Sequence, residues 1–188
     1  GFDYYMDADF SGNWDKGFSL TDSDTAHSCT SFIATFMGCP IFWTSKLQTT
    51  IALSTMEAEY VALSTALRDI IPMIGVMKEM KEHGISIDTG QPNVHCNIFK
   101  DNNGAIQITT KHQWRPHTKH INIQYHHFHS FVTDGSIKIF PIDSVDQPAD
   151  MLTKPLASEL LYKHRQYLMG WQRLLQYRMR GSERKQSF

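Results

Sequence analysis

The sequence predicts an α/β fold, and three observations predict it. Residues 2–47 hold three runs with strand patterning and no helical run. A long apolar stripe at helical spacing then extends from Met56 to Met77. Beyond it, strand-patterned runs at 94–99 and 137–142 alternate with helical ones, giving the order of three strands, helix, strand, two helices, strand, helix. At 188 residues and 41% hydrophobic content the chain is able to bury a core, and its length fits one domain of roughly 150 residues plus an appendage.

Each element follows from its own residues. Phe2, Tyr4, Met6, Ala8 and Phe10 alternate with Asp3, Tyr5, Asp7 and Asp9, the period-2 mark of a strand with an acidic face, ended by Ser11-Gly12-Asn13. Residues 13–28 are polar and loop-like. Cys29 to Met37 and Ile41 to Lys46 are β-rich and flank Gly38-Cys39-Pro40, a hairpin signal, so three sequential antiparallel strands are expected. Ser54-Thr55-Met56-Glu57 is a capping box that opens a helix with its stripe on Met56, Tyr60, Leu63, Leu67, Ile70 or Ile71, Ile74 and Met77. Pro72 predicts a kink or break near Ile71.

Gly84 to Pro92 is a connection. Val94, Cys96 and Ile98 alternate with His95, Asn97 and Phe99 in a strand ending at Asp101, and Asn102-Asn103-Gly104 starts a short helix to about Thr110. Residues 117–133 lack Gly and Pro and carry Ile121, Tyr125, Phe128 and Val132 at helical spacing, with Gly135 as the stop. Ile137 to Ile142 is a strand. Ser144-Val145-Asp146-Gln147 has the form of a helix start, with Pro148 in the first turn and Pro155 closing it. A basic amphipathic stretch runs from Ala157 to about Arg180, and Gly181 to Phe188 reads as disordered.

Charge and cysteine usage narrow the function classes. Residues 1–156 hold 11 Lys/Arg against 17 Asp/Glu, whereas residues 157–188 hold 7 against 2. The acidic body argues against a nucleic-acid binder working by charge alone and suits a domain that gathers carboxylates around metal ions. Cys29, Cys39 and Cys96 are too few and too scattered for a disulfide framework or a four-cysteine zinc site, which implies a reducing compartment. No uninterrupted apolar run approaches the ~18 residues of a membrane span, so no membrane partner is expected. The start, Gly1-Phe2-Asp3, lacks both Met and the pattern of a signal peptide, as expected of a piece of a longer polypeptide.

Four carboxylates stand out by position: Asp7 in the first strand, Glu59 in the first long helix, Asp101 at a strand end and Asp150 in the first turns of a late helix. On the helical wheel Glu59 falls about 60° from Met56 and about 40° from Leu63, at the margin of the buried stripe, while Glu57 is spent on capping. An acid beside a buried stripe is costly unless compensated, and a divalent cation does this better than a single Lys. Mg²⁺ takes hard oxygen ligands and keeps several waters, and two such ions roughly 4 Å apart activate water and stabilise the leaving oxygen in phosphodiester hydrolysis. Taken one at a time, each of these acids reads better as a solvated surface charge.

The local sequences separate those readings. The runs Tyr5-Met6-Asp7-Ala8-Asp9-Phe10-Ser11-Gly12, Trp43-Thr44-Ser45-Lys46-Leu47-Gln48 and Ala52-Leu53-Ser54-Thr55-Met56-Glu57-Ala58-Glu59-Tyr60-Val61-Ala62-Leu63 resemble the ribonuclease H domain of copia-type long-terminal-repeat retrotransposon polyproteins. So do Asp101-Asn102-Asn103-Gly104-Ala105-Ile106, His117-Thr118-Lys119-His120-Ile121-Asn122-Ile123-Gln124-Tyr125-His126 and Asp146-Gln147-Pro148-Ala149-Asp150-Met151-Leu152-Thr153-Lys154-Pro155-Leu156. The match is colinear over roughly residues 2–171. It implies a ribonuclease H-like fold: a mixed five-stranded sheet, three antiparallel strands then two parallel additions, flanked by helices. The domain would span 1–156, with a basic helical extension at 157–180 packing on or following it and a disordered tail at 181–188.

The resemblance also implies a reaction. Asp7, Glu59, Asp101 and Asp150 match the family's catalytic, metal-binding acids, with an exchange of roles between Asp7 and Asp9 left open. The implied activity is endonucleolytic cleavage of the RNA strand of an RNA–DNA hybrid, leaving 5′-phosphate and 3′-hydroxyl ends and serving reverse transcription. Two Mg²⁺ ions are implied, with Mn²⁺ as a substitute: Asp7 bridging both, Asp150 beside the ion that activates water, Glu59 and Asp101 holding the other. The implied partners are the hybrid and a reverse transcriptase domain of the same polyprotein, in the cytoplasm within virus-like particles.

Ser54, Thr55, Asn102 and Asn103 flank the acids and are candidate substrate contacts, since phosphate oxygens accept from Ser, Asn and helix N-termini; capping is the competing role for Ser54 and Asn102. Lys46 and Gln48 are further candidates. The histidines His112, His117, His120, His126, His127 and His129 invite a zinc reading, but no Cys lies near, and a cationic face toward nucleic acid fits better beside Arg115 and Lys119. Relatives place a His in the loop before the last helix; here Asp143-Ser144-Val145-Asp146 has none, which puts that auxiliary role in doubt. Two rivals stand: a non-catalytic hybrid-binding or scaffolding remnant of a retroelement, and an exonuclease, whose usual Asp-x-Glu is not matched by Asp7-Ala8-Asp9.

Overall fold

The computed structural model describes residues 2–17, 21–85, 96–101 and 130–170. Within them lie β1 (Phe2–Asp9), β2 (Cys29–Phe36), β3 (Cys39–Leu47), α1 (Thr55–Glu82), β4 (Cys96–Lys100), β5 (Ile137–Pro141) and α2 (Ser158–Leu168). Short 3-10 turns occupy Ser23–Ala26, Ser144–Asp146 and Pro148–Leu152.

The five strands form one mixed sheet in the order β3-β2-β1-β4-β5. β1 pairs antiparallel with β2, and β2 with β3; β1 pairs parallel with β4, and β4 with β5. The expected three antiparallel strands and two parallel additions are therefore present. β1 is central, and its acidic face is not solvated as an alternating pattern would suggest: Tyr5 and Asp7 are buried like Tyr4 and Met6. Tyr5 stacks on Phe99 and its hydroxyl meets that of Tyr167 from α2 at 2.8 Å, so both faces of the strand are covered.

The hairpin turn falls one residue earlier than Gly38-Cys39-Pro40. Met37 and Gly38 take φ of 52° and 77°, the two left-handed residues of a tight hairpin turn, and Cys39 and Pro40 already belong to β3. A proline is tolerated there because β3 is an edge strand, and the register shifts between Ala34 and Thr35 to admit it.

α1 begins with the predicted capping box: Ser54 Oγ accepts from the Glu57 amide at 3.1 Å, and Glu57 reaches back to the Leu53 amide at 2.9 Å. Its buried stripe, Tyr60, Leu63, Leu67, Ile70, Ile74 and Met77 with Ala58, Ala62 and Ala66 between, packs on Phe2, Tyr4, Met6 and Ala8 of β1. Met56, expected to start the stripe, is exposed. The helix is not broken at Pro72. The proline is exposed, as is Arg68, the residue whose carbonyl loses its donor. α1 is long and apolar enough to cross a membrane by length and composition alone, but it is the core helix of this sheet.

The segment expected to be a helix after Ser144 is instead two 3-10 turns, because Pro148 and Pro155 leave too short a run to propagate an α-helix. Residues 130–133 are helical and Gly135 has a φ of 77°, matching the predicted stop. The expected short helix after Asp101, most of the expected helix at 117–133, and the tail after residue 170 lie outside the described residues.

Candidate metal centre

Strand register assembles the first half of the site. In the parallel β1–β4 pair Tyr5 lies opposite Phe99, so two residues further on Asp7 and Asp101 emerge side by side at the same sheet end. The third acid is brought in by a clamp. Gln147, wholly buried, donates its amide to the carbonyls of Met6 in β1 at 3.0 Å and Phe99 in β4 at 3.2 Å. Ser31 Oγ of β2 donates to the Ala149 carbonyl at 2.8 Å. The turn that carries Asp150 is thereby pinned over β1.

Carboxylate oxygens of Asp7, Asp101 and Asp150 consequently lie within 4.8 Å of one another. Asp7 and Asp150 are buried and Asp101 is half-buried. Thr153 Oγ1 donates to Asp7 Oδ2 at 2.5 Å, and Ser144 Oγ donates to Asp101 Oδ2 at 3.0 Å. Lys154 Nζ lies 2.8 Å from Asp150 Oδ2 and 3.8 Å from Asp7 Oδ2. Asp9 lies apart: its carboxylate folds over Gly12, leaving no room for a Cβ there, and it does not belong to the converging set.

Glu59 approaches from α1. It is buried, and its Oε2 forms an ion pair with Lys100 Nζ rather than joining the three aspartates. Burial pushes the Glu59 carboxyl up to about 7, with Lys100 pulling it back and Asp7 and Asp101 adding to the rise. Burial likewise lifts Asp150 to about 6, against Lys154 and with Asp7 and Asp101. Burial pulls Lys154 down, but Asp150, Asp7 and Asp101 outweigh it and hold the ammonium above its ordinary value. The local field is strongly negative.

This donor set fits a hard divalent cation. All the converging atoms are carboxylate oxygens, and Asp150 Oδ1 is buried with no hydrogen-bond partner among the described residues. A buried carboxylate oxygen without a donor is costly, and a cation removes that cost.

The candidate substrate contacts fare differently. Ser54 is exposed and serves as the cap of α1, and Thr55, its first residue, is exposed beside it. Lys46 is exposed on the edge strand β3. Gln48 is buried: its amide donates to Thr30 Oγ1 at 2.9 Å and to the Ala58 carbonyl at 2.8 Å, bracing β2 against α1 instead of facing a substrate. Asn102, Asn103 and the histidine cluster lie outside the described residues.

Sequence reasoning missed Lys100, Thr153, Ser144 and Gln147. Lys100 was detectable as a charged residue at the parity of Cys96 and Ile98, the core side of β4. Thr153 and Lys154 follow Asp150 by three and four residues, the spacing that brings side chains onto one side of a turn.

A mixed sheet in this order, with acids at the ends of adjacent parallel strands, is the ribonuclease H fold. Solved structures agree. The chain is similar to LC11-RNase H1, determined in complex with an RNA/DNA hybrid, at a TM-score of 0.53 and 14% identity over 81% of this chain and 93% of that one. It is also similar to the N-terminal RNase H domain of a Mycobacterium tuberculosis protein, at a TM-score of 0.52 and 10% identity over 88% of this chain and 96% of that one.

Relatives by sequence narrow this further. The chain is 35% identical over 150 residues to the retrovirus-related Pol polyprotein from transposon TNT 1-94 of Nicotiana tabacum, and 31% identical over 153 residues to that from transposon RE1 of Arabidopsis thaliana. These alignments take in 80% and 81% of this chain but 10% and 9% of the polyproteins, so the chain spans about a tenth of the curated relatives it matches. No family model matches it. The chain belongs with the ribonuclease H-fold domains of copia-type retrotransposon Pol polyproteins.

Proposed function

We propose that this chain is a metal-dependent endonuclease that hydrolyses the RNA strand of RNA–DNA hybrids during reverse transcription of a retrotransposon. The observation that carries this reading is the convergence of Asp7, Asp101 and Asp150 within 4.8 Å, with Glu59 approaching from α1. Those four side chains would hold Mg²⁺ ions, or Mn²⁺ in their place. A pair of such ions, when bound, supplies an activated water and neutralises the charge that builds on the scissile phosphate.

The remaining work falls to the protein. Asp7 and Asp101, fixed by strand register, give the site its rigidity. Thr153 and Ser144 orient their carboxylates, and Gln147 holds Asp150 in place. Lys154, half-exposed, screens the carboxylates from one another and is free to exchange that contact for solvent.

The reading extends to the setting. The hybrid is the substrate, a reverse transcriptase of the same polyprotein the working partner, and cytoplasmic virus-like particles the place. Residues 157–180 would form a basic extension of the domain at 1–156. Support comes from α2, whose Lys163 bonds the Val145 carbonyl at 2.8 Å and whose Tyr167 meets Tyr5.

The test is incubation of the chain with an internally labelled RNA–DNA hybrid and Mg²⁺ or Mn²⁺, beside Asp7→Asn. Internal RNA cuts that vanish in the variant support the proposal. Trimming from the ends points to an exonuclease, and hybrid binding without any cleavage points to a scaffold; either outcome overturns it.

A further inference from the structure

Among the described residues two lysines flank the acidic site, and they differ in kind. Lys154 is 38% exposed, so its ammonium can leave Asp150 and Asp7 for water without disturbing the backbone. Lys100 has no such exit. It ends β4 on the core side, is 0% exposed, and sits with its Nζ on Glu59 Oε2 and 3.4 Å from the Glu59 carbonyl. A buried ammonium is stable only with an anion in contact, and a buried carboxylate only with a cation. Each therefore holds the other in place, between α1 and the sheet.

Resting on the metal-dependent reading above, we propose that Lys100 is a resident cation that makes the two halves of the site unequal. The Asp7–Asp101–Asp150 side takes the first divalent ion; the Glu59 side takes a second only weakly, because the Glu59 carboxylate is already committed to Lys100. The reason is electrostatic. An ion arriving beside Glu59 meets a carboxylate whose charge is compensated and an ammonium that repels it, in a buried setting where neither effect is screened by water. Among the described residues the cation in contact with the three aspartates is Lys154, which is partly exposed and can turn to water. Lys100 acts through Glu59, so it is a positioning residue rather than a catalytic one.

Counting bound ions tests this without any cleavage assay. Mn²⁺ binding to the full chain is followed by isothermal titration calorimetry and by electron paramagnetic resonance of the free ion, for wild type, Lys100→Met and Lys100→Arg. The expected wild-type behaviour is one ion bound at least about tenfold more tightly than the next. Lys100→Met is expected to tighten the second step at least about tenfold and to shift the first by less than about threefold; Lys100→Arg, which keeps the charge, is expected to restore the inequality. Two equal sites in wild type, or an unchanged second step in Lys100→Met, overturns the proposal.

Lys100→Met leaves Glu59 buried without its cation, so a second variant guards against misfolding. The double change Lys100→Met with Glu59→Gln removes both charges together, and it is expected to keep the first ion and lose the second. Retention of a second ion at wild-type affinity overturns the proposal. The two levels of failure separate: if wild type binds no divalent ion, the metal-dependent reading fails with this one, whereas two ions of equal affinity sink this inference alone.

Discussion

Thr153 donates its hydroxyl to Asp7 across 146 positions of sequence, locking one carboxylate oxygen of the central strand at 2.5 Å. Hydrogen bonds of this kind to a ligating group commonly govern affinity for the ion more than they govern folding. Thr153→Val, which keeps shape and removes the donor, is expected to weaken Mn²⁺ binding by about 10- to 100-fold. Calorimetric titration measures it, and unchanged affinity would show that Asp7 needs no such support.

Gln147 bridges β1 and β4 with one amide. Gln147→Leu would strip the Met6 and Phe99 carbonyls of a donor inside the protein, and we expect a loss of about 2–3 kcal/mol in urea unfolding. The turn carrying Asp150 should loosen with it, so ion affinity is expected to fall together with stability.

The pH response of the ion-free chain should run opposite to the usual behaviour of paired carboxylates. Burial lifts Glu59 from 4.5 to about 7 and Asp150 from 3.8 to about 6. Through that window the native state binds more protons than the unfolded chain, so stability falls as pH rises. The contribution is complete below the unfolded values and gone once pH passes the folded ones. The melting temperature of chelator-treated protein is therefore expected to drop between about pH 4 and about pH 8, while added Mg²⁺ raises it most at the upper end, where both groups have lost their protons. Thermal melts with and without the ion decide; a melting temperature that climbs through the window contradicts the assignment.

Pro72 occupies a solvent-facing position within α1 and removes one backbone hydrogen bond there. Against a helix-interior penalty of about 3 kcal/mol stands the entropy that proline removes from the unfolded chain, about 1 kcal/mol or less. Pro72→Ala is expected to stabilise the protein by about 2 kcal/mol, read from the urea midpoint at unchanged slope.

Much of this architecture is local and therefore legible in sequence. The strand at β1, the box at Ser54–Glu57 and the stripe from Tyr60 through Ile74 each depend on neighbours a few residues away, and each is found where expected. What was misplaced depends on distant or unusual geometry. Met37 adopts a left-handed conformation that its residue type disfavours, so the turn looked as if it belonged to Gly38-Cys39-Pro40. The 3-10 turns after Ser144 are held by Gln147 reaching two other strands, which no helical wheel anticipates. The convergence of the acids was implied by the resemblance rather than by their spacing, and three of the four converge. Glu59 was expected among them, and its capture by Lys100 was invisible because it joins residues 41 apart through the core.

The parallel pairing of β1 with β4 carries a kinetic corollary. Antiparallel neighbours can be joined by a hairpin, but strands running the same way require a long return path, here by way of α1. Asp7 and Asp101 thus meet only after a loop of 94 positions has closed, and Asp150 joins them across a longer one of 143, so the capacity to capture an ion arrives late in folding.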